Sequence, residues 1–163
     1  MKIGVLADSH NKLEITCQAI ERLRTQGAVA LFHCGDLMNE AIVKACAEIQ
    51  PAYIVAGNND PSLKQLELWS HTHGVNFLGR GGVVALGRHR IGLTHGHEKT
   101  TVAKILKENP DYLLVGHSHF RRDERIGTVR IINPGALHRS SSKSCVLIDL
   151  DTDRVETILM ESM

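Results

Sequence analysis

The chain has 163 residues, 42% of them hydrophobic and 23% charged, which suits one packed core and excludes a disordered chain. Its 19 basic and 18 acidic side chains leave a formal net charge of +1, which speaks against nucleic acid or an anionic membrane as partner. No apolar run reaches the ~20 residues of a membrane span, and the opening MKIGVLADSH meets Asp8 too soon for a signal peptide, so a cytoplasmic protein is expected.

The first apolar run, Ile3 to Ala7, ends on Asp8-Ser9-His10. Leu13, Cys17, Ile20 and Leu23 then recur at helical spacing, with Gly27 as the stop. A second run, Ala28 to Phe32, ends on His33-Cys34-Gly35-Asp36; Asn39 can cap a helix carrying Ile42, Val43, Cys46 and Ile49 before Pro51. A third, Tyr53 to Ala56, ends on Gly57-Asn58-Asn59-Asp60. Continuous apolar runs alternating with helices predict parallel strands buried on both faces. His71-Thr72-His73 is read as loop, and the cysteines as free thiols, with Cys17, Cys34 and Cys46 in the core.

Farther along, Val75 to Leu78, Val83 to Leu86 and Arg90 to Thr94 are separated by glycine-rich turns. The last of these ends on His95-Gly96-His97. Thr100 or Thr101 can open a helix through Leu106, and Tyr112 to Val115 ends on Gly116-His117-Ser118-His119. Two hairpins follow, 121–132 around Gly127 and 144–159 around residues 151–153, with 139–142 as a loop. These strands predict a second sheet packed on the first, with helices outside: a single α/β domain over 1–163, an αββα sandwich.

Ten histidines are many for this length. Four of them, His10, His95, His117 and His119, stand with Asp8, Asp36 and Asn58 at the carboxyl ends of five strands, where open α/β sheets gather functional groups. In an extended segment, the two-residue spacing of Asp8 and His10, and of His117 and His119, would aim each pair to one side. His33, His71, His73 and His89 are read as structural. In order, D-x-H, G-D, G-N, a His-Gly pair and G-H-x-H resemble the calcineurin-like metallophosphoesterases, in particular their small bacterial and archaeal phosphodiesterases.

The resemblance implies two divalent transition-metal ions, Mn first and Fe, Ni, Co or Zn as alternatives, since mixed nitrogen and oxygen donors suit these better than Mg or Ca. One ion would be held by Asp8, His10, Asp36 and His119; the other by Asp36, Asn58, His95 and His117, with Asp36 bridging. It further implies hydrolysis of a small phosphate ester, a diester before a monoester, by in-line attack of a metal-bridging hydroxide. The family commonly reads G-N-H-[DE], whereas this chain has Asn59 in place of the histidine. Asn59 can donate a hydrogen bond to phosphate but cannot deliver a proton, so His97 is the alternative proton donor. Asn11 is read as a further contact to the phosphate, and His138 and Arg139 as lining the rim. Two other readings stay open: an assembly scaffold, since a retromer subunit shares the fold, and a nuclease. A homo-oligomer through edge strands of the second sheet is also open.

Overall fold

The computed structural model describes residues 1–161. Its first half repeats one unit. Strand β1 (Lys2–Leu6) leads through helix α1 (Leu13–Thr25) to β2 (Ala28–His33), then through α2 (Glu40–Cys46) to β3 (Ala52–Ile54). Helix α3 (Leu63–His73) carries the chain on to β4 (Asn76–Phe77), so four parallel strands succeed one another through helical crossovers. Helix α3 includes the segment expected as loop at 71–73. Ser62 caps its start by accepting from the Gln65 N–H, and Gly74 ends it in the left-handed region at φ 71°. Its apolar stripe is faint because only Leu66 and Ser70 are fully buried, while Leu68 faces water.

The second half contains β5 (Gly81–Leu86), β6 (His89–Thr94), α4 (Lys99–Leu106), β7 (Tyr112–Leu114), β8 (Arg122–Ile126), β9 (Val129–Asn133), β10 (Ser144–Asp149) and β11 (Arg154–Leu159). One sheet runs β11-β10-β1-β2-β3-β4 and the other β5-β6-β7-β9-β8. Two strand groups expected in the second sheet therefore lie in the first. Short β4 pairs with β3, and the β10–β11 hairpin docks antiparallel on β1, matching Lys2 with Asp149.

Alternation along β1 explains the layering. Ile3, Val5 and Ala7 face β6, β7 and β9 of the opposite sheet through Ile91, Leu93, Leu114 and Ile132, while Leu6 faces the helical layer with Ala19 and Leu23. Gly4 lets α1 settle onto β1; a Cβ there would stand 2.8 Å from Leu23 Cδ1. Cys34 and Cys46 are buried as expected, but Cys17 is exposed: α1 buries Thr16, Ala19, Ile20 and Leu23, so the buried stripe runs one residue ahead of Cys17. The other sheet is covered on its outer face by α4, through Ile105 against Leu113, Val129 and Ile131. No helix among the described residues is long and apolar enough to cross a membrane.

Candidate metal centre

The loops after β1, β2, β3, β6 and β7 meet at the carboxyl end of the sandwich. They bring all seven candidate ligands to one place, by a backbone route other than the extended one expected. Asp8, His10, Asp36, His117 and His119 have φ of 54°, 42°, 59°, 69° and 64°. Non-glycine residues rarely adopt this left-handed region, and such residues collect at sites where the surroundings hold the chain in place. The loops coil back on themselves, which crowds the side chains more tightly than a strand could. Gly57 is part of that crowding, because a Cβ there would overlap Asp36 Oδ1.

Two donor sets have the buried carboxylate of Asp8 in common. Asp8, His10 and His119 form one group and Asp8, Asp36 and His95 another, each with donor atoms within 4.8 Å of one another. Asp36 Oδ2 stands between the sets, 3.2 Å from His10 Nε2 and 3.4 Å from His95 Nε2. Asp8 Oδ1 lies 3.4 Å from His119 Nε2 and 3.6 Å from His10 Nε2. Asn58 adds an oxygen to the second set, with Oδ1 2.9 Å from His95 Nε2 and 3.1 Å from His117 Nδ1.

Hydrogen bonding shows what these atoms lack. His95 Nδ1 donates to the Cys34 carbonyl at 2.7 Å, which turns Nε2 of the ring toward the Asn58 oxygen and Asp36 Oδ2. Asp8 Oδ1 and His10 Nε2 are buried without a hydrogen-bond partner. No lysine or arginine among the described residues pairs with Asp8 or Asp36; their ion-pair neighbours are all histidines. Unpaired buried carboxylates are costly, and divalent ions offset that cost.

The charges respond accordingly. Burial pushes the Asp8 carboxyl up, against the pull of His95 and His119. Burial also raises Asp36, but hydrogen bonds from His95 and Asn59 outweigh it and leave Asp36 below the ordinary carboxylate range. For His95, burial disfavours the charged ring, yet Asp36 and Asp8 prevail and raise its pKa.

Residues 1–153 match the calcineurin-like phosphoesterase superfamily domain. The chain belongs to this family. A phosphodiesterase of Methanocaldococcus jannaschii is 29% identical over 138 residues, 83% of each chain. The solved structure of a novel archaeal phosphodiesterase superposes with a TM-score of 0.88 at 24% identity, over 98% of this chain and 100% of that one. Vacuolar protein sorting 29 of Cryptosporidium parvum does so with 0.70 at 19% identity, over 99% of this chain and 97% of that one. These superpositions establish the fold; the family implies divalent ions, and the donor sets above suit them.

In this chain, the residues expected to act on substrate occupy distinct positions. Asn59 turns inward: its Nδ2 donates to Asp36 Oδ2 and its N–H to Asp36 Oδ1, both at 2.9 Å. The expected donor to phosphate is thus engaged in holding Asp36. His97 stands at the edge, half-buried, its ring 5.3 Å from that of His95 and 5.9 Å from that of His117. Burial and the neighbouring His95 lower its pKa. Asn11 accepts from Asn39 Nδ2, and His138 packs 5.0 Å from the His10 ring.

Three residues brace the ligand loops, and two of them, Asp60 and Asn133, had no assigned role. Asp60 accepts from the N–H groups of Asp36, Gly57 and Met38 at 2.8, 2.8 and 2.6 Å, tying the loop after β2 to the loop after β3. Its place two residues beyond Asn58 was the available signal, because the family's G-N-H-[DE] block ends on an acid there. Asn133 donates to the Gly116 carbonyl and to Ser118 Oγ, which anchors the loop bearing His117 and His119. His33, read as structural, accepts from the Gly35 N–H and donates to Ser9 Oγ at 2.7 Å; burial pushes its pKa down to about 3.

Proposed function

We propose that this chain hydrolyses a small phosphate ester, a diester in preference to a monoester, with two divalent transition-metal ions held by Asp8, His10, Asp36, Asn58, His95, His117 and His119. One observation carries the reading: the nitrogen and oxygen atoms of Asn58, His95 and His117 converge beside two buried carboxylates that no lysine or arginine among the described residues pairs with. Mn leads, with Fe, Ni, Co and Zn as alternatives, because the donors mix imidazole with oxygen. When bound, such ions activate water and neutralise charge that develops on phosphate oxygens. Asp36, with Oδ2 facing both sets, is the residue suited to hold both ions. Asn59 fixes the Asp36 carboxylate in that orientation, which leaves His97 as the side chain placed to protonate a leaving oxygen. The diester preference draws support from the Methanocaldococcus relative, named a phosphodiesterase.

Since the fold is shared with a sorting protein, architecture alone does not decide between catalysis and assembly. Turnover decides. Metal-depleted protein given Mn²⁺ should hydrolyse bis(p-nitrophenyl) phosphate faster than p-nitrophenyl phosphate, and chelator should stop both. Aryl diesters should be cleaved faster than alkyl diesters, because an aryl leaving group needs little protonation. Metal binding with no turnover of either ester would move the reading to an assembly role.

A further inference from the structure

Beside the centre lies a groove of about 380 Å³ whose inner wall is His117 and His119 and whose outer walls are 120–121 and 139–142. This volume falls within the range of small-molecule sites. The lining contains no acidic residue, but it contains Arg121, Arg139 and the hydroxyls of Ser118 and Ser140 to Ser142. Arg24, Arg80, Arg90, Arg122, Arg125 and Arg130 each pair with a carboxylate, whereas Arg121 and Arg139, like Arg22, Arg88 and Arg154 elsewhere on the surface, form no ion pair with one among the described residues; Arg121 and Arg139 alone of these five line this groove. Arg121 is positioned nonetheless. Its stem rests on Gly135, where a Cβ would stand 3.1 Å from Arg121 Cγ, and its guanidinium points across the groove toward Ser142 Oγ at 3.5 Å. Phe120 adds a ring that is 78% exposed at the mouth.

We propose that this groove receives the remote arm of the substrate, and that this arm carries a second anionic group beside a planar ring, the chemistry of a nucleotide. Unpaired guanidinium groups suit a phosphate, which they bind through paired hydrogen bonds. An exposed aromatic face suits a base, which stacks without regard to sequence. The groove is short, so the substrate is a small diester and not a long strand. The inference rests on the phosphoesterase reading, because the first phosphate must lie at the metal centre.

Inhibition of bis(p-nitrophenyl) phosphate hydrolysis in Mn²⁺ tests it, comparing thymidine 3′,5′-bisphosphate with the 5′- and 3′-monophosphates. The bisphosphate should inhibit about tenfold more tightly than either monophosphate, as expected when paired arginines bind the second group. In the Arg121→Gln, Arg139→Gln double variant that ratio should fall to about one, while the Arg121→Lys, Arg139→Lys pair, which keeps the charge, should retain part of it. The ratio is taken within each protein, so a general change in turnover does not affect it. Equal inhibition by mono- and bisphosphates in the unaltered enzyme, or a ratio unchanged by the glutamines, would overturn the groove's role while leaving the phosphoesterase intact. An unaltered protein inert toward bis(p-nitrophenyl) phosphate would overturn both.

Discussion

Around Asp36 and His95, the chain's own polar groups are largely engaged with one another, whereas the flank formed by 120–121 and 139–142 presents most of its side chains to water. On the first flank Asp60, Asn59, His33 and the Cys34 carbonyl hold the ligand loops from several directions. On the second, Phe120, Arg121 and Arg139 are exposed, and the arginines have no carboxylate partner among the described residues. Holding ions demands one geometry, and several independent hydrogen bonds impose it despite left-handed backbone at Asp8, His10 and Asp36. Receiving a substrate arm demands accessible charge instead, and stable ion pairs would block it.

The comparison predicts a graded series. The largest effect is Asp36→Ala, which should lower diester turnover roughly a thousandfold, matching the several kcal/mol that bound ions supply; retention of a tenth of the rate would deny Asp36 its bridging role. Next comes Asp60→Ala, which leaves three backbone N–H groups without their acceptor. It should destabilise the metal-free protein by about 3 kcal/mol in urea unfolding and weaken metal binding by about 10–100-fold. A loss under about 0.5 kcal/mol would mean that the braced flank does not depend on it.

His33 gives a smaller, pH-dependent effect. Its folded pKa of about 3 lies below the ordinary 6.5, so within that window the unfolded chain binds a proton that the folded chain does not. Stability should be complete above pH 6.5 and fall as pH drops toward 3, by about 2 kcal/mol at pH 5. Urea midpoints at pH 7 and pH 5 should show a steeper loss for the unaltered protein than for His33→Gln; equal slopes would contradict the buried neutral ring. The smallest effect belongs to the open flank, where Arg121→Gln with Arg139→Gln should change stability by less than about 0.5 kcal/mol.

Those positions differ in how far they could be read from the residues alone. The strand ends bearing Asp8, Asp36, Asn58, His95 and His117 were legible because doubly buried strands are continuous apolar runs that stop abruptly at polar residues. Helix α3 was not, since it buries a single stripe centred on Leu66 and Ser70. Neither was the place of β10 beside β1, a pairing of Lys2 with Asp149 that no local pattern announces. The inward turn of Asn59 and the left-handed loops escaped for a related reason: both arise from the contacts of distant segments, Asp36 above all, and not from neighbours in sequence.

The most direct test of the centre is the metal content of protein prepared without chelator, measured for the unaltered chain and for Asp36→Ala. The account predicts two divalent ions per chain in the first and loss of both in the second. One ion or none in the unaltered chain, or two retained after the substitution, would contradict a two-ion centre bridged by Asp36.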